Sequence, residues 1–307
     1  MRKYLPMAIV GLSILIITSC THPQQQSNTS SIGVEDTLRL LVIGNSFSNN
    51  ATRFLPDLAI EQGKKLKLAK AQIGGSSLER HWQSVEIAMN YPDSSKGKPY
   101  NGKSLLDFLT SDDWDIVTIQ QVSMLSCDTS EYRPFAKYVY DYIKKFQPEA
   151  EIVLHQTWAY RSDAKRFCQI TEGTHAQSDE EMWQNSRRAY HTIADELGLR
   201  IIPVGDAFWS VCSGEHRYRV SPDFNPDGLV EPNIPTQKNS LHTGYYWRDN
   251  TLRMDSNHAN KEGEFLGALV WYGFLFEDKP SSTSYVPEGS DTTFVNYLRE
   301  VADSILL

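Results

Sequence analysis

The 307-residue chain carries 30 Lys and Arg against 38 Asp and Glu, a formal net charge of −8. An acidic surface argues against nucleic acid as a partner and against polybasic membrane binding. The four cysteines and eight histidines show no Cys-x-x-Cys or His-x-x-x-His spacing, so nothing in the pattern suggests zinc.

Arg2 and Lys3 open the chain, and an apolar stretch from Ala8 to Ile17 follows, closed by Thr18-Ser19-Cys20. The stretch is too short to span a bilayer and has the shape of a signal peptide. Ile17-Thr18-Ser19-Cys20 resembles a bacterial lipobox, which implies cleavage before Cys20 and its lipidation. Small residues directly before the cysteine favour this over an ordinary signal peptide. Residues 21–36 are polar, rich in Gln, Ser and Asn, and read as a flexible tether. Losing Arg2 and Lys3 takes the net charge from −8 to −10. The expectation is an exported lipoprotein held by its lipid alone, on the periplasmic or cell-surface side of a membrane.

Residues 37–307 then alternate apolar runs with helical patterns. Leu38–Ile43 is an uninterrupted apolar strand. A helix over Ala51–Gln62, a weaker strand over Leu66–Gln72 and a helix over Leu78–Asn90 follow. The third strand is Ile116–Ile119. Phe135, Tyr138, Val139, Tyr142 and Ile143 mark an amphipathic helix over Pro134–Phe146. The fourth and fifth strands are Ile152–His155 and Leu199–Val204, separated by a long helix over Glu180–Leu197. Helices over Lys261–Phe276 and Phe294–Leu306 close the chain. Ser210–Met254, rich in Pro, Asn, Asp, Tyr and Arg, reads as a functional loop. Strands that are apolar throughout and separated by helices predict a parallel sheet covered on both faces, a three-layer α/β/α sandwich. Chemistry in such sheets sits beyond the C-terminal strand ends, where Ser46, Gly75, Gln120, Trp158 and Asp206 all fall. Cys127, Cys168 and Cys212 also follow predicted strands. One disulfide with a thiol left over and three buried thiols are equally compatible with that placement.

Ser46 ends the first strand in Ile43-Gly44-Asn45-Ser46, next to a helix N-terminus whose amides can stabilise an oxyanion. A serine hydroxyl needs a base in hydrogen-bond reach. Asp255-Ser256-Asn257-His258 supplies an acid three residues before a histidine, so His258 can take the proton while Asp255 holds the imidazole. Each alone has a plainer reading, Ser46 or Ser48 as a helix cap and Asp255 or Asn257 as another. The combination points to a serine hydrolase.

These residues resemble the SGNH (GDSL-like) hydrolase superfamily. Gly44-Asn45-Ser46 is similar to its Gly-Asp-Ser block. Ile73-Gly74-Gly75-Ser76 is similar to the block that supplies an oxyanion glycine, with Gly75 the better match. Asp255 and His258 match the final Asp-x-x-His. The third block, Gly-x-Asn, is replaced by Ile119-Gln120-Gln121, and Asn45 stands where the superfamily has Asp. The resemblance covers roughly residues 37–277 and implies a flavodoxin-like strand order 2-1-3-4-5. It also implies metal-independent ester hydrolysis through an acyl-enzyme on Ser46, with no cofactor. The implied oxyanion hole consists of the Ser46 and Gly75 amides and the Gln120 side chain, with Gln121 as the alternative donor. Trp158 and His242 are further candidates for substrate contact.

The expected substrate is a small acyl ester or an acylated, for instance acetylated, glycan, and the chain is expected to act as a monomer. A lipase or thioesterase is the nearest rival. From another class, a glycan-binding lipoprotein without activity would explain the missing Gly-x-Asn. A metal-dependent hydrolase using His155, His242, Asp255 and His258 lacks a compact ligand motif.

Overall fold

The computed structural model describes residues 37–220, 224–225 and 229–307, so the expected signal peptide, Cys20 and the tether lie outside the described residues. The first strand, β1 (Leu38–Gly44), leads directly into α1 (Ser46–Ala51) and α2 (Leu55–Glu61). Then come β2 (Leu66–Gln72), α3 (Leu78–Asn90), the short α4 (Leu105–Leu109) and β3 (Ile116–Ile119). They are followed by α5 (Phe135–Phe146), β4 (Glu151–His155) and a small ribbon of β5 (Gln169–Thr171) and β6 (Thr174–His175). Next are α6 (Asp179–Leu197), β7 (Arg200–Ile202) and α7 (Val204–Ser213). A hairpin of β8 (His242–Arg248) and β9 (Thr251–Ala259) precedes α8 (Lys261–Phe276) and α9 (Thr292–Leu306).

The main sheet is five-stranded and parallel in the order β2-β1-β3-β4-β7, which in strand succession is the expected 2-1-3-4-5. β1 is flanked on both sides and buried on both faces. Its side chains alternate between two cores, as the period of two requires. Leu38, Leu40 and Val42 face a core shared with Phe47, Leu58, Phe208, Phe265 and Leu298. Leu41 and Ile43 face another with Leu78, Val85, Val139, Ile143 and Ile193. These are the two halves of a three-layer sandwich. The edge strand β2 carries Lys67 and Lys70, the charge that keeps an edge from pairing further.

Three expectations need correction. The helix expected over Ala51–Gln62 is two helices. Asn45 caps α1, accepting from the Phe47 amide, so helix begins at Ser46. Pro56, which has no N–H, sits in the first turn of α2 and starts a new helix there. Ser210–Met254 is not one loop: α7 runs to Ser213, and β8 and most of β9 lie within the stretch. Cys212 lies in α7 rather than in a loop and stays unpaired, burial pushing its thiol up to about 12. Cys127 and Cys168 pair, joining the loops that follow β3 and β4.

Helix α1 is seated by close backbone approach. A Cβ on Gly267 of α8 would come within 2.8 Å of the Ala51 Cα, so only glycine lets α8 pack so close to α1. Among the described residues, no helix is long and apolar enough to cross a membrane.

Candidate active site

Ser46 follows the C-terminal end of β1, an interior strand of the sheet, as the first residue of α1, half-buried. Its Oγ lies 2.9 Å from the His258 Nε2, and the His258 Nδ1 lies 2.8 Å from the Asp255 Oδ2. The other Asp255 oxygen accepts the backbone amides of Asn257 at 3.2 Å and His258 at 3.0 Å. Those two amides fix the carboxylate, the carboxylate fixes the ring, and the ring points its second nitrogen at the serine. Asp255 and His258 stand on β9, not in a loop, and the cap of the following helix is Asn260, which accepts from the Gly263 amide.

The electrostatics follow from these contacts. The hydrogen bond to Asp255 raises His258 above the ordinary imidazole value, with burial pulling the other way. Burial alone would raise the Asp255 carboxyl. The His258 ring and the two backbone amides outweigh it and hold the carboxyl below the usual range. A neutral His258 can take the Ser46 proton, and Asp255 stays ionised to stabilise the imidazolium that forms.

Beside Ser46 runs the loop 73–76, tied down by the Ile73 amide donating to the Gly44 carbonyl at 3.1 Å. Gly75 is exposed at φ +62, and nothing lies within 4 Å of where a Cβ would be. The Ser46 amide is in the first turn of α1, where an N–H has no intrahelical acceptor.

The other candidates lie elsewhere. Gln120 is 1% exposed. Its Nε2 donates to Asn45 Oδ1 at 2.7 Å and its Oε1 meets His155 Nδ1 at 2.9 Å, so this amide is engaged beneath the turn rather than aimed at a substrate carbonyl. Gln121 is also committed: its Oε1 accepts the Leu78 and Val122 amides and its Nε2 donates to the Glu131 carbonyl. Neither glutamine matches the expected oxyanion donor, because each amide is used inside the protein. Trp158, expected as a sugar platform, is buried between Phe47 and Phe208, with ring centroids 4.3 and 4.4 Å away. It instead donates to the Asn257 carbonyl at 2.9 Å, bracing the strand that carries His258. His242 is buried as well, paired with the Ala159 carbonyl at 2.9 Å, and burial takes its pKa down to about 4. Asp206 accepts from Gln156 and Trp183 and pairs with Arg187 at the surface. Among the described residues no three His, Cys, Asp or Glu side chains converge as metal ligands would.

Sequence reasoning gave Ser76 no role in the site, and His155 one only as a metal ligand in the rival hydrolase reading. A serine after two glycines and a histidine at a strand end look ordinary until their partners are known.

The model of a family described as a domain of unknown function, DUF4886, matches residues 39–230. The chain belongs to that family. A solved DUF4886 structure from Bacteroides uniformis is similar at 23% identity, with a TM-score of 0.66 over 88% of this chain and 95% of that one. The likeness shows that the two share a fold. A protein from Slackia heliotrinireducens described provisionally as an SGNH hydrolase is 19% identical, with a TM-score of 0.45 over 77% of this chain and 98% of that one. A protein from Parabacteroides merdae described provisionally as a GDSL-like lipase is 14% identical, with a TM-score of 0.45 over 80% and 99%. No curated protein matches this DUF4886 chain. The family match ends before Asp255 and His258, so it includes the candidate nucleophile but not its base.

Proposed function

We propose that the chain is a serine esterase that removes acyl groups, acetyl foremost, from carbohydrate outside the cytoplasm. The observation that carries this reading is the continuous Ser46–His258–Asp255 set at 2.9 and 2.8 Å. In the proposed reaction Ser46 Oγ attacks the ester carbonyl as His258 Nε2 takes its proton. The tetrahedral oxyanion faces the Ser46 and Gly75 amides. Collapse breaks the ester C–O bond, and the sugar hydroxyl leaves with the proton from His258. Water, deprotonated by His258, then attacks the acyl-Ser46 and releases the acid. No group outside the chain is needed for these steps. Labelling with a fluorophosphonate, followed by turnover of an aryl acetate in the presence of a chelator, tests the reading. Covalent label on Ser46 together with chelator-resistant turnover is expected. No label and no turnover would favour a glycan-binding protein, an alternative supported by the inward-turned Gln120. Turnover that needs added metal would favour a metal hydrolase.

Support for carbohydrate comes from the hairpin. Tyr246 lies opposite Arg253 across β8 and β9, and Arg253 is two residues from Asp255 along the strand. Residues i and i+2, and directly paired residues, share one face of a ribbon. A half-buried tyrosine and an exposed arginine therefore stand beside the catalytic acid on its own face. Tyr246→Ala is expected to raise KM for an acetylated polysaccharide about fivefold, the equivalent of about 1 kcal/mol of ring stacking. KM for an aryl acetate should not change. Equal changes on both substrates would remove this support.

Membrane attachment through Cys20 belongs to the same proposal. Cys20→Ser should move the protein from the membrane fraction to the soluble exported fraction, and unchanged partitioning would end the lipoprotein reading.

A further inference from the structure

A chain of hydrogen bonds runs beneath the Ser46 turn, and its polarity can be derived atom by atom. The Phe47 backbone N–H points at Asn45 Oδ1 at 3.0 Å. A backbone N–H can only donate, so that atom is the amide oxygen. Asn45 Nδ2 then donates to the Ser76 carbonyl at 2.9 Å, a group that can only accept. Two backbone groups thus hold the Asn45 amide in one orientation. Gln120 must present its Nε2 to Asn45 Oδ1, at 2.7 Å, which leaves Gln120 Oε1 to accept. The atom 2.9 Å from that oxygen is His155 Nδ1, so His155 carries its proton there and its Nε2 is bare. That Nε2 is buried without a partner, the ring edge lies against Trp271 with centroids 5.1 Å apart, and burial pushes the His155 pKa down to about 3. The ring is therefore neutral throughout the physiological range.

The backbone is shaped around this chain. A Cβ on Gly44 would lie 2.9 Å from Gln120 Oε1 and 2.5 Å from Ser48 Oγ, so any larger residue there would displace the glutamine where it passes under the strand end. All three side chains are buried, and they come from the ends of β1, β3 and β4.

We propose that Asn45, Gln120 and His155 form a positioning relay that sets the gap between the Ser46 and Gly75 amides. The proposal rests on the esterase reading and deepens it. Asn45 belongs to the nucleophile turn, and Ser76, which it grips, is the neighbour of Gly75. The bond between them latches one half of the oxyanion hole to the other. The two departures from the Gly-Asp-Ser and Gly-x-Asn blocks are then one feature. An aspartate at 45 would leave the Ser76 carbonyl without a donor and set a carboxylate against it. The longer arm of Gln120 reaches under Gly44 to Asn45. None of the three touches substrate, so they are positioning residues.

The test uses the full-length protein with an aryl acetate, and kcat is normalised to Ser46 sites titrated with a fluorophosphonate. Asn45→Asp removes the latch to Ser76 and sets a carboxylate against its carbonyl, while the acceptor for the Phe47 amide and Gln120 remains. Gln120→Met removes the donor to Asn45 at similar side-chain length and adds no charge. Each is expected to lower kcat per titrated site by roughly 10²-fold, the loss typical of one misplaced oxyanion donor. KM should stay in place in both, and the midpoint of the pH profile in Gln120→Met, because Ser46, His258 and Asp255 are untouched and no charge is added there. His155→Asn, which can still donate to Gln120, should retain more activity than His155→Leu. Independently of turnover, ring ¹⁵N shifts should show His155 protonated on Nδ1 alone at neutral pH. Variants that melt earlier but keep their kcat per site would overturn the proposal, as would a His155 protonated on Nε2. A wild-type chain without Ser46-dependent turnover would end the esterase reading and the relay's role together. An active wild type with unaffected variants would end the relay alone.

Discussion

Ser46→Ala is expected to lower ester hydrolysis by about 10³-fold or more while leaving the melting temperature nearly unchanged. The side chain is half-buried, and its recorded partner is His258 Nε2 at 2.9 Å. Removing the hydroxyl therefore costs the fold one hydrogen bond at the rim of the structure, whereas it costs the proposed reaction its nucleophile. The α1 cap survives, because Asn45 rather than Ser46 supplies it. Turnover and thermal unfolding measured on the same preparation check the prediction. Near wild-type turnover in a folded variant would remove the serine mechanism entirely.

His258→Ala should be nearly as damaging, since a serine hydroxyl without a base is a poor nucleophile. The pH profile gives a sharper test. The base works only when neutral, so activity should rise with pH along a single limb. The hydrogen bond to Asp255 raises His258, so the midpoint of that limb should lie above the pKa of a free imidazole. Asp255→Asn removes the group that raises it. The midpoint should then move to lower pH while the plateau falls, because the ring loses its orientation and its counter-charge. A limb that stays in place in Asp255→Asn would show that another group controls the titration. The same linkage acts on stability with the opposite sign. A histidine raised in the folded state stabilises the protein when protonated, and that contribution is lost as pH rises through its folded value.

The sheet was legible because its strands are apolar on both faces and separated by helices, a pattern with few topological solutions. Residues carrying Gly44-Asn45-Ser46 and Asp255-x-x-His258 were legible because short spacings bring their chemistry together. Burial was not legible. Trp158 and His242 look like surface recognition groups in sequence, and only the packing of Phe208 between them shows otherwise. The hairpin of β8 and β9 was read as loop because its strands are not apolar runs. One face packs Tyr245 and Met254 onto Arg161, and the other carries Tyr246 and Arg253. Gln120 is the expected oxyanion donor only because it stands where the resembled superfamily has the Gly-x-Asn amide. Its actual partners, Asn45 and His155, lie 75 and 35 residues away and share no local pattern with it.

Ser46 and His258 are 212 residues apart, one after the first strand and the other on the last, ahead of α8 and α9. The order of synthesis gives this distance a meaning. Ser46 is made long before its base exists, and the strand that delivers His258 is held to the body by the Trp158 and Arg161 contacts with Asn257 and Ser256. Until β9 docks, Ser46 is an ordinary hydroxyl. A nascent or clipped chain with its sheet already built would therefore be chemically silent. Hydrolysis would begin only when the last strand closes, so catalytic activity would report the docking of β9.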